Sequence, residues 1–153
     1  MIFQSIDKEA ISKIYNHPKV YKWISDDCSP RPYEPVINNS FIYLIDETKN
    51  GVIRIEPVNS ICCQVHTALS PEIWGKGFEF VKNATAWGFQ NTRYMKIITL
   101  VPEYNRLAIS LCKKCGFKQE GIIEKSFLKN WKLYDQILFG LTKKQFLINN
   151  AKE

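Results

Sequence analysis

The sequence predicts a mixed α/β (α+β) domain built around one mostly antiparallel sheet, on three observations. The 153 residues, 45% hydrophobic and 24% charged, suffice for one core and are too few for two ordinary domains, so residues 1–153 are expected to form a single unit. Three β-forming runs succeed one another, Phe41–Ile45, Val52–Ile55 and Ile61–Leu69, with a hairpin signal at Lys49-Asn50-Gly51 and turn residues at Asn59-Ser60. Beyond them the period changes to that of a helix, then strand, helix and a last pair of strands.

In chain order, Asp7 should cap a helix whose Ile11, Ile14 and Tyr15 share a face. Asn16-His17-Pro18 should end it, because the residue before proline is pushed out of helical geometry. A short second helix carries Val20, Tyr21 and Trp23, and Ser25 to Pro35, with Pro30 and Pro32 inside it, reads as loop. After the three-strand meander, a helix from Gly77 sets Glu79, Lys82, Asn83, Ala86 and Gln90 against an inward stripe of Gly77, Phe80, Val81, Ala84, Trp87 and Gly88. Met95–Val101 is a strand broken by Pro102. Asn105–Cys115 is a helix expected to bury Ala108, Leu111, Cys112 and Cys115, with Gly116 as its cap. Phe117–Phe127 and Leu133–Leu141 flank a turn at Lys129-Asn130-Trp131-Lys132, and Lys143–Asn149 closes as a short helix.

The net charge of +6 and pI near 9.0 fit a polyanionic cofactor, a nucleic acid or simply a basic surface. Lys and Arg are spread thinly and no basic helix or aromatic-studded basic strand is visible, so no nucleic acid is expected. Residues Met1 to Glu9 contain no basic segment leading into an apolar one, and no apolar run approaches membrane-spanning length. A cytoplasmic protein with no membrane partner is the expectation. Five cysteines, an odd number with Cys62 and Cys63 adjacent, should be free thiols. Cys112-x-x-Cys115 lacks a second pair at ligand spacing and His17 is distant, so no metal is expected.

Pro71-Glu72-Ile73-Trp74-Gly75-Lys76-Gly77-Phe78 leaves a strand and enters a helix. Two glycines there expose main-chain N–H groups at the positive end of the helix dipole, a natural phosphate seat; a tight turn with close helix packing would use the same residues. The chain has no Gly-Lys-Ser/Thr, no third glycine with a distant acid and no Gly-x-Ser-x-Gly elbow. Downstream of the segment come a helix, a strand, and then Asn105, Ala108, Cys112, Gly116 and Phe117 in order. That combination resembles the GNAT superfamily of acyl-CoA N-acyltransferases, whose cofactor loop follows Gln/Arg-x-x-Gly-x-Gly/Ala and whose next Asn-x-x-Ala/Ser helix ends in Gly-Phe. Glu120-Gly121 and Asp135 look like the branch that acetylates ribosomal-protein N-termini and small amines. Val65-His66-Thr67, Pro71, and Val101-Pro102 ahead of Asn105 resemble bacteriophage-encoded GNAT-like proteins.

The resemblance implies acetyl-CoA as acyl donor and a primary amine as acceptor: a protein N-terminus, a lysine or a small amine. It implies that the His66–Leu69 and Met95–Val101 strands splay to admit the pantetheine arm. Gly75, Lys76, Gly77 and Phe78 would hold the pyrophosphate through main-chain N–H groups, with Ala68, Leu69, Ile73 and Trp74 beside them and Asn105 and Ala108 opposite, Asn105 bonding the arm. Glu72 and Trp74 depart from the family, which has Gln or Arg, and often Arg, at these places. Trp23, Asp26 and Asp27 would border the acceptor cleft, where plain loop capping is the other use for the two acids. Transfer needs a base and an acid. His66 is the candidate base, since imidazole titrates near neutral pH; a satisfied strand histidine is the alternative. Cys112 stands where many members have an acid Tyr, and a thiol at the negative end of a helix stays protonated; it could equally be, with Cys115, a small buried hydrophobe. The competing functional reading is a GNAT-fold phage or prophage protein without turnover, serving as a structural, assembly or acyl-CoA-binding component. Monomer and homodimer both fit.

Overall fold

The computed structural model describes residues 1–152. Its elements are β1 (Ile2–Gln4), α1 (Lys8–Tyr15), α2 (Pro18–Ile24), β2 (Ile42–Asp46), β3 (Gly51–Pro57), β4 (Cys62–Leu69), a 3-10 turn (Pro71–Lys76), α3 (Gly77–Asn91), β5 (Lys96–Pro102), α4 (Arg106–Lys114), β6 (Lys118–Lys129), β7 (Lys132–Thr142) and α5 (Lys143–Ala151). The strands form one 7-stranded sheet in the order β1-β2-β3-β4-β5-β7-β6. Every neighbouring pair is antiparallel except β4 and β5.

Both faces of the sheet are covered, because alternate residues of a strand point to opposite sides. Ile53, Ile55, Cys63, Val65, Ile97, Val101, Phe139 and Leu141 face a core closed by Phe80, Val81, Ala84 and Phe89 of α3 and Phe146 of α5. Tyr43, Ile45, Val52 and Ala68 face Ile11, Ile14 and Tyr15 of α1 and Val20 of α2. Asp7 caps α1 through its side chain, which accepts from the Ala10 amide at 3.0 Å. At the β2–β3 turn the Asp46 carboxylate accepts from the Asn50 and Gly51 amides at 2.9 and 2.7 Å.

The structure departs from the sequence reading in four places. β1 was not foreseen; three residues are too few to show a period, and it exists by pairing Ile2 to Gln4 with Asp46 to Leu44. The helix does begin at Gly77, but Pro71–Lys76 ahead of it forms a 3-10 turn that was not foreseen. On α3 the buried stripe includes Thr85 and Phe89, while Trp87 is only half-buried. No residue of α4 is fully buried: Ala108, Leu111, Cys112 and Cys115 pack against the core as expected but only partly buried, and the first three also face a cavity. Gly116 does terminate α4, with φ 87°, the left-handed geometry glycine tolerates.

Candidate functional site

The site begins where the parallel pairing fails. β4 and β5 are in register only from Cys62–Lys96 to Gln64–Ile98, yet β4 continues to Leu69 and β5 to Pro102, so the two strands part. Beyond the last pair, the Thr99 hydroxyl donates to the Val65 carbonyl at 3.0 Å, and the Trp74 indole N–H donates to the Leu69 carbonyl at 2.8 Å. Main-chain groups alternate in direction along a strand, so Thr67, midway between them, faces the same gap with no strand opposite. A linear ligand carrying amides can lie along this edge as an added strand would.

Two cavities meet in the gap and share Trp23, Ile24, Thr67, Asn105, Ala108 and Leu111. The larger, 450 Å³, lies between the end of β4, the 3-10 turn and α4. Ala68, Leu69, Trp74, Gly75, Gly77, Phe78, Asn105 and Ala108 all line it, as the sequence suggested; Ile73 and Lys76 do not. Ile73 is 7% exposed and packs inward, and Lys76 points to solvent, as does Glu72, which removes its carboxylate from the cavity. The Gly77 amide is already bonded to the Trp74 carbonyl, so it is not a free phosphate donor as expected. Gly75 is different: a Cβ built there meets nothing within 4 Å, so packing does not require glycine and its backbone is open to a ligand. Lys19 and Lys114, which sequence reasoning missed, line the same cavity, and Lys114 also lies 5.8 Å from the Phe78 ring centre. Asn105 caps α4, its side-chain oxygen accepting from the Ala108 amide at 3.2 Å, which leaves the amide nitrogen as the end able to reach a ligand.

The smaller cavity, 310 Å³, passes through the gap and is lined by His66, Gln64, Thr99, Cys112, Phe127 and Gln136 among others, with no Asp, Glu, Lys or Arg. His66 Nε2 lies 3.0 Å from Glu56 Oε1, and Arg54 bonds the other carboxylate oxygen at 3.1 Å. Burial and then the Arg54 charge push the imidazole below its ordinary range, against the opposing pull of Glu56, so the ring is neutral at pH 7 and can take a proton. Cys112 is in place but chemically unsuited to the acid role: burial, helped by Cys115, pushes its thiol up to about 12. Donation from there to a departing thiolate of ordinary thiol acidity is uphill.

Trp23, Phe117 and Phe127 line the smaller cavity, and further aromatic rings pack beside it. Tyr104 lies 6.4 Å from Trp23, 6.3 Å from Phe127 and 4.7 Å from Tyr134, centre to centre, and its buried hydroxyl has no partner among the described residues. Trp23 lines both cavities, Tyr104 and Tyr134 neither. Asp26 and Asp27 line neither cavity. Asp27 accepts from the Asn130 and Trp131 amides at 2.8 and 2.7 Å, and Asp26 accepts from the Cys28 amide and the Ser29 hydroxyl, so both carboxylates are used as loop and turn caps. Their charges still reach Tyr104, whose hydroxyl is pushed up by burial, by Tyr134 and by these two acids. Among the described residues no cluster of three metal-ligating side chains occurs, and no helix is long and apolar enough to cross a membrane.

Known proteins resemble the chain in the same terms. The SPbeta prophage-derived uncharacterized N-acetyltransferase YokL of Bacillus subtilis (strain 168) is 24% identical over 166 aligned positions, covering 99% of this chain and 88% of that one. Spermidine N(1)-acetyltransferase of Escherichia coli (strain K12) is 27% identical over 111 positions, 70% of this chain but only 60% of the enzyme's length. The crystal structure of spermidine N-acetyltransferase from Vibrio cholerae in complex with CoA and spermine superposes with a TM-score of 0.79 over 96% of this chain and 97% of that one, at 19% identity, a likeness of fold. The profile of the acetyltransferase (GNAT) domain family matches residues 3–118. With that match over most of its length and a sheet that parts between β4 and β5, the chain belongs to the GNAT acetyltransferase family.

Proposed function

We propose that the protein transfers an acetyl group from acetyl-CoA to the primary amine of a small, positively charged acceptor. The observation that carries this reading is the junction of two cavities in the β4–β5 gap, one lined by Lys19, Lys114 and the Gly75 main chain, the other by Trp23, Phe117 and Phe127 with no Asp, Glu, Lys or Arg. The open edge at Thr67, the uncrowded Gly75 backbone, the Asn105 amide and the ammonium groups of Lys19 and Lys114 fit a ligand made of an amide-bearing arm and phosphates. Acetyl-CoA supplies the activated thioester; the residues supply orientation and proton handling. Neutral His66 takes the proton released as the acceptor nitrogen bonds to the acyl carbon. The thiolate leaves without Cys112, because a thiolate is stable enough in water to depart as the anion and be protonated afterwards by solvent. Ring faces at Trp23 and Phe127, with Tyr104 packed against both in the field of Asp26 and Asp27, suit an ammonium group better than a protein chain end. The names of the spermidine acetyltransferases among its relatives point to the same class.

Calorimetry with acetyl-CoA tests this directly, with micromolar affinity expected. Absence of heat up to millimolar ligand would sink the enzyme reading and leave that of a GNAT-fold component without turnover, such as a prophage protein. With an acceptor found by screening spermidine and simple diamines for thiol release, His66→Ala is expected to lower turnover about tenfold at unchanged acetyl-CoA affinity, and Cys112→Ser to change it less than about threefold.

A further inference from the structure

We propose that Glu56 is a positioning residue for the transfer, holding the Nε2 edge of His66 so that Nδ1 is the nitrogen left to take the proton, while Arg54 holds Glu56. The proposal rests on the acetyltransferase reading of the same site.

The arrangement follows from strand register. β3 and β4 pair with Arg54 opposite His66 and Glu56 opposite Gln64, so Arg54, Glu56 and His66 share one face with Glu56 diagonal to the imidazole. The two carboxylate oxygens are divided: Oε1 lies 3.0 Å from His66 Nε2 and Oε2 lies 3.1 Å from an Arg54 nitrogen. Arg54 is fixed in turn, donating to the Tyr33 hydroxyl at 2.8 Å with its guanidinium 5.2 Å from the Phe41 ring centre. An ionised carboxylate only accepts, so Nε2 must carry the ring proton and Nδ1 the lone pair.

A purely structural use explains the cluster poorly. β3 and β4 are already paired from Gly51–Leu69 to Pro57–Cys63, so the strands need no ionic tie. The Arg54 and Glu56 side chains are only 14% and 24% exposed, and removing such charges from water costs stability as readily as it adds any. What the pair does is orient the His66 ring, which lines the smaller cavity, and adjust a proton affinity that burial has already lowered. The groups around it act in both directions: Arg54 lowers its affinity for protons and Glu56 raises it, while Tyr15, Tyr33 and Tyr43 stand around Arg54. Apart from His66 and Cys112, the cavity lining drawn from α2, β5, α4, β6 and β7 carries no titratable group. When the acceptor nitrogen bonds to the acyl carbon and the carbon–sulfur bond breaks, the electron pair leaves with sulfur and the nitrogen's proton goes to Nδ1. The imidazolium so formed faces Glu56.

The test is nitrogen NMR of histidine-labelled protein, whose two histidines are told apart with His66→Gln. In the native chain His66 is expected as the Nε2–H tautomer. Glu56→Gln should mix the tautomers and move the His66 titration to lower pH, and Glu56→Asp should restore most of both. In turnover, Glu56→Gln should shift the acid limb of the kcat/KM profile to lower pH with the NMR midpoint and reduce plateau kcat about tenfold, at unchanged acetyl-CoA affinity. An unchanged tautomer and midpoint in Glu56→Gln overturns the proposal even if turnover is found. Failure of the protein to acetylate any amine overturns the functional reading instead, and removes the role with it, whatever the NMR shows.

Discussion

Gly51 and Gly75 are both glycines for reasons of space, of opposite kinds. A Cβ at Gly51 would lie 2.6 Å from Ile73 Cδ1 and 2.9 Å from Phe80, so glycine there lets the 3-10 turn press against β3 and carry Trp74 and Gly75 to the cavity. A Cβ at Gly75 meets no protein atom, so any constraint there comes from a ligand. Gly51→Ala is therefore expected to destabilise the fold by about 2 kcal/mol in urea titration, the usual range for overpacking. Gly75→Ala should leave the urea midpoint in place and weaken acetyl-CoA binding about tenfold, or about 1.4 kcal/mol. Unchanged affinity would show that the 3-10 turn is not the cradle. At this scale the sequence already marked Gly75, Asn105 and His66, because rare residue types at fixed spacing are local signals. Glu56, Thr67, Lys19 and Lys114 carried none: each is an ordinary strand or helix residue until the register places it.

The β6–β7 hairpin shows how an element is held by a residue far away in sequence. Asn130 and Trp131 both have left-handed backbones, φ 51° and 61°, an unfavourable geometry for a bulky side chain, and the Asp27 carboxylate accepts from both of their amides. The Asp27 amide bonds the Leu128 carbonyl and Lys129 donates to the Ser25 carbonyl, so the 25–29 loop and the hairpin form one wall carrying Trp23 and Phe127. Asp27→Ala should cost about 1–2 kcal/mol, moderated because water can reach the turn amides. It should raise KM for the acceptor severalfold without touching acetyl-CoA affinity, and Asp27→Asn, which keeps an acceptor oxygen, should fall between. Equal loss of affinity for both substrates would show general unfolding rather than a displaced wall. The sequence foresaw both strands and the turn between them, since alternation and turn chemistry are short-range. It singled out Asp27 with two uses open, a cationic substrate or loop capping; the carboxylate does cap, but the amides it takes belong to a strand pair that lies beside it only after folding.

For the whole molecule, the sign of the pH dependence follows from three groups. Bonds from the Ala10 amide and Lys49 hold Asp7 below the ordinary carboxylate value. At Asp46 burial pushes upward, but the Thr48 hydroxyl and the Gly51 and Asn50 amides outweigh it and the carboxyl is again lowered. Both contributions are complete above about pH 4, the unfolded range, and are lost as pH falls through the lower folded values. His66, lowered by burial, works in the same direction: the unfolded chain takes its proton first, so stability falls as pH drops below about 6.5. The urea midpoint should then be lower at about pH 4 than at about pH 7.5, with the first loss below about pH 6.5. A midpoint that rises on acidification would contradict these assignments.

What the sequence by itself determined was every element but β1 and the 3-10 turn, because periods of 2.0 and 3.6 residues and caps act over a few turns of chain, and, by the resemblance its Gly-x-Gly and Asn-x-x-Ala segments carry, the family. The covered sheet and the meander follow from those periods almost without choice. Only the tertiary structure decided where the parallel pair of β4 and β5 stops, that Thr67 faces the gap, that Glu56 meets His66 and that Asp27 spends its charge on a turn. Each of these depends on which strand lies opposite and in what register. Register is a property of residues distant in sequence brought together by burial, so no local pattern encodes it.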